Sequence, residues 1–188
     1  MRRESLNPPM KLDWDIDKTW TLFLDRDGVI NERVFGGYIL QTKDFVFKEG
    51  VLESASSLFG KFGKVFIVTN QQCIGKALIT EVELNAIHNW MCKKFSENKA
   101  RINAVFVAGE LKNTVPSRRK PSIEMGLDAK GKYPEIDFSK SIMVGDTDSD
   151  LEFGLKLGMK TVLIESEERC DLSPNIKLAS LTDFNKML

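Results

Sequence analysis

Thr21-Leu22-Phe23-Leu24-Asp25-Arg26-Asp27-Gly28-Val29-Ile30-Asn31 decides how this chain is read. An apolar run stops abruptly at two acids one residue apart, and a glycine follows. Such a run reads as a buried parallel strand, and the acids then fall at its carboxyl end, where open α/β sheets bind ligands. Two carboxylates this close repel each other unless a cation or a proton intervenes. The pair therefore points to metal-assisted chemistry, with one Asp free to attack and the other to move a proton.

Four further apolar runs recur outward from this stretch: Val65–Val68, Ala104–Val107, Ser141–Val144 and Thr161–Ile164. Segments with helical spacing lie between them. Val51, Ala55, Leu58 and Phe62 share one face, as do Leu84, Ile87, Met91 and Phe95. Thr80-Glu81-Val82-Glu83 reads as a capping box. Pro121 suits the first turn of a third helix, and Gly158 suits the stop after Leu151–Leu157. The alternation predicts a single Rossmann-like α/β domain over residues 13–188, with a parallel sheet of about five strands and helices on both faces. A short strand near Ile176–Ala179 and a helix after Thr182 would complete the tail. Residues 1–12 read as a flexible arm, with Met10 as an alternative start.

The bulk numbers exclude several classes. Lys plus Arg and Asp plus Glu number 27 each, so the net charge is zero and no general nucleic-acid or membrane surface is expected. No apolar run is long enough to span a bilayer. Cys73, Cys92 and Cys170 are odd in number and far apart, which predicts reduced thiols and a cytoplasmic location. Trp14, Trp20 and Trp90 read as packing residues. The lone histidine, His88, falls on the polar side of its helix and reads as a surface residue.

The strand ends gather the chemistry. One strand ends at Asp25 and Asp27, another at Val68-Thr69-Asn70-Gln71-Gln72, and a third at Val144-Gly145-Asp146, followed by Thr147-Asp148-Ser149-Asp150. All three ends lie on one edge of a parallel sheet. Arg118-Arg119-Lys120 precedes a helix, with Arg118 reading as a solvated charge. Carboxylates suit a hard cation such as Mg²⁺, and the cation with Lys120 would neutralise a phosphate and its transition-state charge. Thr69 can donate to a phosphoryl oxygen. Asp148 reads as an acid serving a helix N-terminus.

Asp25-Arg26-Asp27-Gly28, Val68-Thr69-Asn70, Arg119-Lys120-Pro121 and Gly145-Asp146-x-x-x-Asp150 resemble, in order, the four motifs of the haloacid dehalogenase superfamily. The likeness covers residues 20–164. Ile30-Asn31, Gly37-Tyr38 and Gln71-Gln72 extend it to the branch that holds heptose-bisphosphate and histidinol-phosphate phosphatases, with a lean toward the heptose enzymes. The resemblance implies that Asp25 is the nucleophile and forms an aspartyl-phosphate, while Asp27 is the general acid and then the base. It implies that the Asp25 carboxylate, the Asp27 carbonyl and Asp146 hold Mg²⁺, and that Thr69 and Lys120 bind the phosphoryl group. Asn31, Gly37, Tyr38, Asn70, Gln71 and Arg119 would line the approach of the substrate. Asp150 would position water or Lys120.

The chain departs from that branch in one place. Most members carry a zinc loop of three Cys and one His before the Arg-Lys-Pro element, whereas residues 106–118 here hold neither residue type, so no zinc is expected. The gaps between motifs hold no inserted domain, which predicts a capless enzyme with a short flap near Arg33–Thr42. The expected partner is a small phosphorylated metabolite, the expected state a monomer. The substrate reading leads with a sugar phosphate such as a heptose bisphosphate. Histidinol phosphate, a 3′-phosphorylated nucleic-acid end and a non-catalytic binding role stand as alternatives.

Overall fold

The computed structural model describes residues 12–188. Met10 and most of the expected arm lie outside this range. Leu12, its last residue, packs with Trp14 and Ile16 against the main core.

Six parallel strands form one sheet in the order β3-β2-β1-β4-β5-β6. They are β1 (Thr21–Leu24), β2 (Lys64–Asn70), β3 (Ala104–Ala108), β4 (Ser141–Gly145), β5 (Lys160–Ile164) and β6 (Ile176–Leu178). The five expected strands and the expected short strand of the tail make up this sheet. The tail strand pairs with β5 through Val162–Ile176, Leu163–Lys177 and Ile164–Leu178. Strands β1, β2 and β4 are continuous apolar runs because both faces of the sheet are covered. Side chains alternate between faces, so Leu22 and Leu24 enter one core with Val65, Ile67, Ile142 and Val144. Phe23 enters the other with Phe66, Val68 and Met143.

Helices α1 (Val51–Phe59), α2 (Glu81–Glu97) and α5 (Leu181–Met187) cover the first face. Helices α3 (Glu124–Lys132) and α4 (Asp148–Lys156) cover the second. The expected face of α2 is the buried one: Leu84, Ile87, Met91 and Phe95 all face the core. Its capping box forms, with Thr80 Oγ1 accepting from the Glu83 amide at 3.2 Å and Glu83 Oε2 accepting from the Thr80 amide at 2.8 Å. Gly158, at φ +77°, follows the last turn of α4 as a left-handed stop.

Two boundaries differ from the sequence reading. Phe62 is buried from the turn beyond α1 rather than from the helix, which ends at Phe59 with Gly60 as its cap. Pro121 does not open α3, which begins at Glu124. The Lys120 amide donates to Asn70 Oδ1 at 2.9 Å and its carbonyl accepts from Asn70 Nδ2 at 3.1 Å. The backbone at 120 is thereby bound to the end of β2 and is unavailable to a helix.

Candidate active site

The parallel order brings the carboxyl ends of β1, β2 and β4 side by side, and the site stands on that edge. The Asp25 amide donates to the Val144 carbonyl at 2.9 Å, so the acid leaves β1 against β4. Gly28, at φ +94°, turns the chain back; a Cβ there would stand 2.1 Å from Asp146 Oδ2, so only glycine lets the Asp25–Asp27 loop approach the end of β4.

Lys120 is 4% exposed, and its ammonium reaches across this edge. Its Nζ contacts Asp25 Oδ1 at 2.7 Å, Asp150 Oδ1 at 2.6 Å and the Val68 carbonyl at 2.6 Å. Asp150 is itself held by the start of α4. Its Oδ2 accepts from the amides of Asp146 (3.2 Å) and Thr147 (3.1 Å) and from Thr147 Oγ1 (2.7 Å). Burial would strip Lys120 of its proton, but the charges of Asp150 and Asp25 outweigh it and hold the ammonium above its ordinary range.

Asp25, Asp146 and Asp150 form the one cluster of three or more metal-ligating side chains found among the described residues, with ligand atoms all within 4.8 Å of one another. Both carboxylate oxygens of Asp146 are buried without a hydrogen-bond partner. Burial lifts the Asp146 carboxyl to about 8, with the Asp25 charge adding to the rise and Arg33 opposing it. Burial likewise lifts Asp25 to about 6, against the pull of Lys120. Orphaned oxygens on buried acids that resist ionisation are what a divalent cation relieves, and an all-oxygen donor set fits Mg²⁺.

Asp27 sits in a different environment. Arg26, 1% exposed, donates from Nη2 to both Asp27 oxygens at 2.9 Å. Asn31 Nδ2 donates to Oδ1 at 2.9 Å, and Gln71 Nε2 donates to Oδ2 at 2.8 Å. Burial alone would raise the Asp27 carboxyl, but the Arg26 charge and these bonds prevail and keep it below the usual range. Asp25 and Asp27 are thus pushed in opposite directions: the neighbours of Asp27 hold it ionised, whereas burial keeps Asp25 raised, a cost that a cation beside it would offset.

The other expected residues surround this centre or lie beyond it. Thr69 is buried at the cleft, its Oγ1 accepting from Gln71 Nε2 at 2.8 Å. Asn31 and Gln71 are buried and hold Asp27, while Asn70 holds the backbone of Lys120. Gly37 and Tyr38 line an adjoining cavity of about 220 Å³ that meets the catalytic cleft at Asp27, Arg33 and Asn70. Arg119 is half-buried and turns its Nη1 to the Glu110 carbonyl at 3.1 Å. Arg118 pairs at the surface with Asp128. Asp148 does more than serve a helix end: it accepts from the amides of Asp171 and Leu172 at about 3 Å and so ties the β5–β6 loop to α4.

His88 is corrected from surface to core. It is 4% exposed, and its Nε2 meets Arg26 Nη1 at 3.0 Å. Burial, with the Arg26 charge, pushes the imidazole down to about 3, so it is neutral and accepts from the guanidinium. Cys73 is fully buried and its thiol is raised by that burial, as expected of an inert residue. Sequence reasoning missed Arg26, which supports Asp27, and Arg33, which stands between Asp146 and Glu168. The signal for Arg26 was its place inside the acidic motif; for Arg33 there was none beyond its charge on the flap.

Comparison with known proteins agrees with this geometry. Residues 117–179 match the HAD-hydrolase-like family model. D-glycero-alpha-D-manno-heptose-1,7-bisphosphate 7-phosphatase of Campylobacter jejuni is 32% identical over 152 residues, covering 81% of this chain and 86% of that protein. The enzyme of the same name from Burkholderia mallei is 34% identical over 154 residues, covering 78% and 80%. Among solved structures, D,D-heptose 1,7-bisphosphate phosphatase of B. bronchiseptica, complexed with magnesium and phosphate, superposes with a TM-score of 0.80 at 22% identity, covering 89% of this chain and 96% of that one. Its counterpart from Burkholderia thailandensis gives 0.64 at 26% identity, with the same coverage. No helix among the described residues is long and apolar enough to cross a membrane. With these relatives matched over most of their length, and with the acids, lysine and threonine of the four motifs gathered at one sheet edge, the chain belongs to the haloacid dehalogenase superfamily of phosphatases and is closely related to the heptose-1,7-bisphosphate 7-phosphatases.

Proposed function

We propose that this chain hydrolyses a phosphate monoester of a sugar, a heptose bisphosphate, through an aspartyl-phosphate on Asp25. The observation that carries the reading is the contact of the buried Lys120 ammonium with Asp25 Oδ1 at 2.7 Å, beside an Asp146 carboxylate with no hydrogen-bond partner. A nucleophilic carboxylate, an anion-binding cation and a cation-binding acid then share one small cleft.

In the first half-reaction Asp25 forms a bond to phosphorus while the ester bond to the sugar oxygen breaks. Asp27 gives that oxygen its proton. In the second half-reaction Asp27 takes a proton from water, the water oxygen bonds to phosphorus, and the bond to Asp25 breaks to release inorganic phosphate. The contacts of Arg26, Asn31 and Gln71 favour ionised Asp27, the form required in this second half. Thr69 and Lys120 donate to the phosphoryl oxygens, and Lys120 keeps Asp25 oriented. Mg²⁺, held by Asp25, Asp146 and the Asp27 carbonyl, would supply charge neutralisation at the phosphoryl oxygens.

The heptose substrate is supported by relatives that carry this name for both the alpha and the beta anomer. The test is phosphate release with Mg²⁺ from a panel that holds both heptose bisphosphate anomers, histidinol phosphate and a 3′-phosphorylated oligonucleotide. Turnover of a heptose bisphosphate above the rest, lost in Asp25→Asn, is expected. Preference for histidinol phosphate or the oligonucleotide would overturn the substrate assignment. Equal activity in Asp25→Asn would overturn the mechanism.

A further inference from the structure

Three cations line the catalytic cleft and its adjoining cavity: Arg26, Lys120 and Arg33. Two of them are committed. Arg26 donates to Asp27 and His88, and Lys120 to Asp25, Asp150 and Val68. Arg33 differs. Its Nη1 stands 3.4 Å from Asp146 Oδ2 and 3.4 Å from Glu168 Oε1, and neither contact has hydrogen-bond geometry. Its side chain is only 25% exposed, yet its guanidinium makes no hydrogen bond among the described residues. A planar fork of five N–H donors held between two acids without bonding to either is poised for a better acceptor, and a phosphate is the acceptor it matches bidentately.

The position of Arg33 says where that phosphate lies. Arg33 borders the cleft, beside Asp25, Thr69 and Lys120, and also the cavity of about 220 Å³ beyond it. The rest of the phosphorylated molecule would extend into that cavity. Tyr38 also lines it, and its Oη accepts from Gln72 Nε2 at 3.0 Å and so keeps its own proton to donate. The phosphate being hydrolysed is served by Lys120 and Thr69. Arg33 is therefore left for an anion on the remote part of the same molecule.

We infer that Arg33 is a specificity-determining residue, which binds a second phosphate on the sugar that leaves, so that the enzyme selects a bisphosphate over a monophosphate. This rests on the phosphatase reading above and adds the reason for its substrate class. Glu168 is a competitor in this arrangement: it is half-exposed and holds the guanidinium until the substrate takes it.

The test compares a sugar bisphosphate with the same sugar phosphorylated only at the hydrolysed position, in wild type, Arg33→Met, Arg33→Lys and Glu168→Gln. Arg33→Met is expected to raise KM for the bisphosphate about 10- to 100-fold more than for the monophosphate, the loss of charge-assisted hydrogen bonds. Arg33→Lys recovers part of the difference, since it restores the charge without the fork. Glu168→Gln lowers KM for the bisphosphate a few-fold. A bridge that merely held the flap would make Arg33→Met and Glu168→Gln move KM in the same direction, and that result would overturn the inference. Equal losses on both sugars in Arg33→Met would do the same while leaving the phosphatase reading intact. Turnover of neither sugar by wild type would end both. Calorimetric binding of the bisphosphate to Asp25→Asn, with and without Arg33→Met, gives the same comparison without turnover.

Discussion

Replacing Asp146 with Asn should stabilise the protein when divalent cations are chelated, and only at neutral to alkaline pH. The Asp146 carboxyl is lifted by burial from 3.8 to about 8. A raised carboxyl pKa means the folded state binds the proton more tightly than the unfolded one. Its contribution is therefore fully present below the unfolded value and is lost as pH climbs through the folded value. At about 1.4 kcal/mol per pKa unit, a lift of this size bounds the cost of ionising Asp146 at roughly 6 kcal/mol. Closure of Arg33 onto the acid and entry of water reduce this, and a gain of about 2 kcal/mol is expected for the amide at pH 8. For a chain of this size that is a rise in Tm of about 4–8 °C. The assay is a thermal melt of wild type and Asp146→Asn in EDTA at pH 8 and pH 5, repeated with Mg²⁺. The variant should melt higher in EDTA at pH 8, and the gap should narrow at pH 5, where wild-type Asp146 holds its proton. Mg²⁺ at about 100 times its Kd should stabilise wild type by about 2.7 kcal/mol and leave the variant unmoved. A variant that melts lower than wild type at both pH values, or a wild type indifferent to Mg²⁺, would refute the reasoning.

Lys120→Met should abolish turnover by at least about 10³-fold and cost about 3 kcal/mol of stability in EDTA, because it leaves Asp25 and Asp150 buried and facing each other; phosphate release and urea melts check both. Gly28→Ala places a methyl where Asp146 Oδ2 stands, so calorimetry should find Mg²⁺ binding weakened at least about 10-fold even where the variant folds. His88→Leu removes the acceptor for Arg26 Nη1 and should lower stability by about 1–3 kcal/mol, read as a drop in Tm, whereas His88→Gln, which keeps an acceptor, should recover most of it.

Asp25, Asp27, Thr69 and Asp146 were legible because each lies at or just beyond the end of an apolar run. A parallel sheet brings such positions together whatever the intervening sequence. The residues that escaped reading depend on partners far along the chain. His88 is polar on a helical wheel, and only Arg26, 62 residues earlier, gives it a reason to be buried. Pro121 looks like a helix opener until Asn70, on β2, claims the backbone beside it. Arg33 lies on a flap with no periodicity, and its significance comes from two acids on other loops.

The strand order carries a consequence for biosynthesis. β1 lies between β2 and β4, so one of its edges is paired by Lys64–Ile67 and the other waits for Ser141–Val144. As the chain emerges from the ribosome, the first of these partners arrives early and the second more than a hundred residues after β1 itself. Throughout that interval the strand that ends in Asp25 offers a bare, apolar edge to any passing β-segment. Fragments cut before Ser141 inherit that exposure permanently, and they should aggregate rather than persist as smaller folded units.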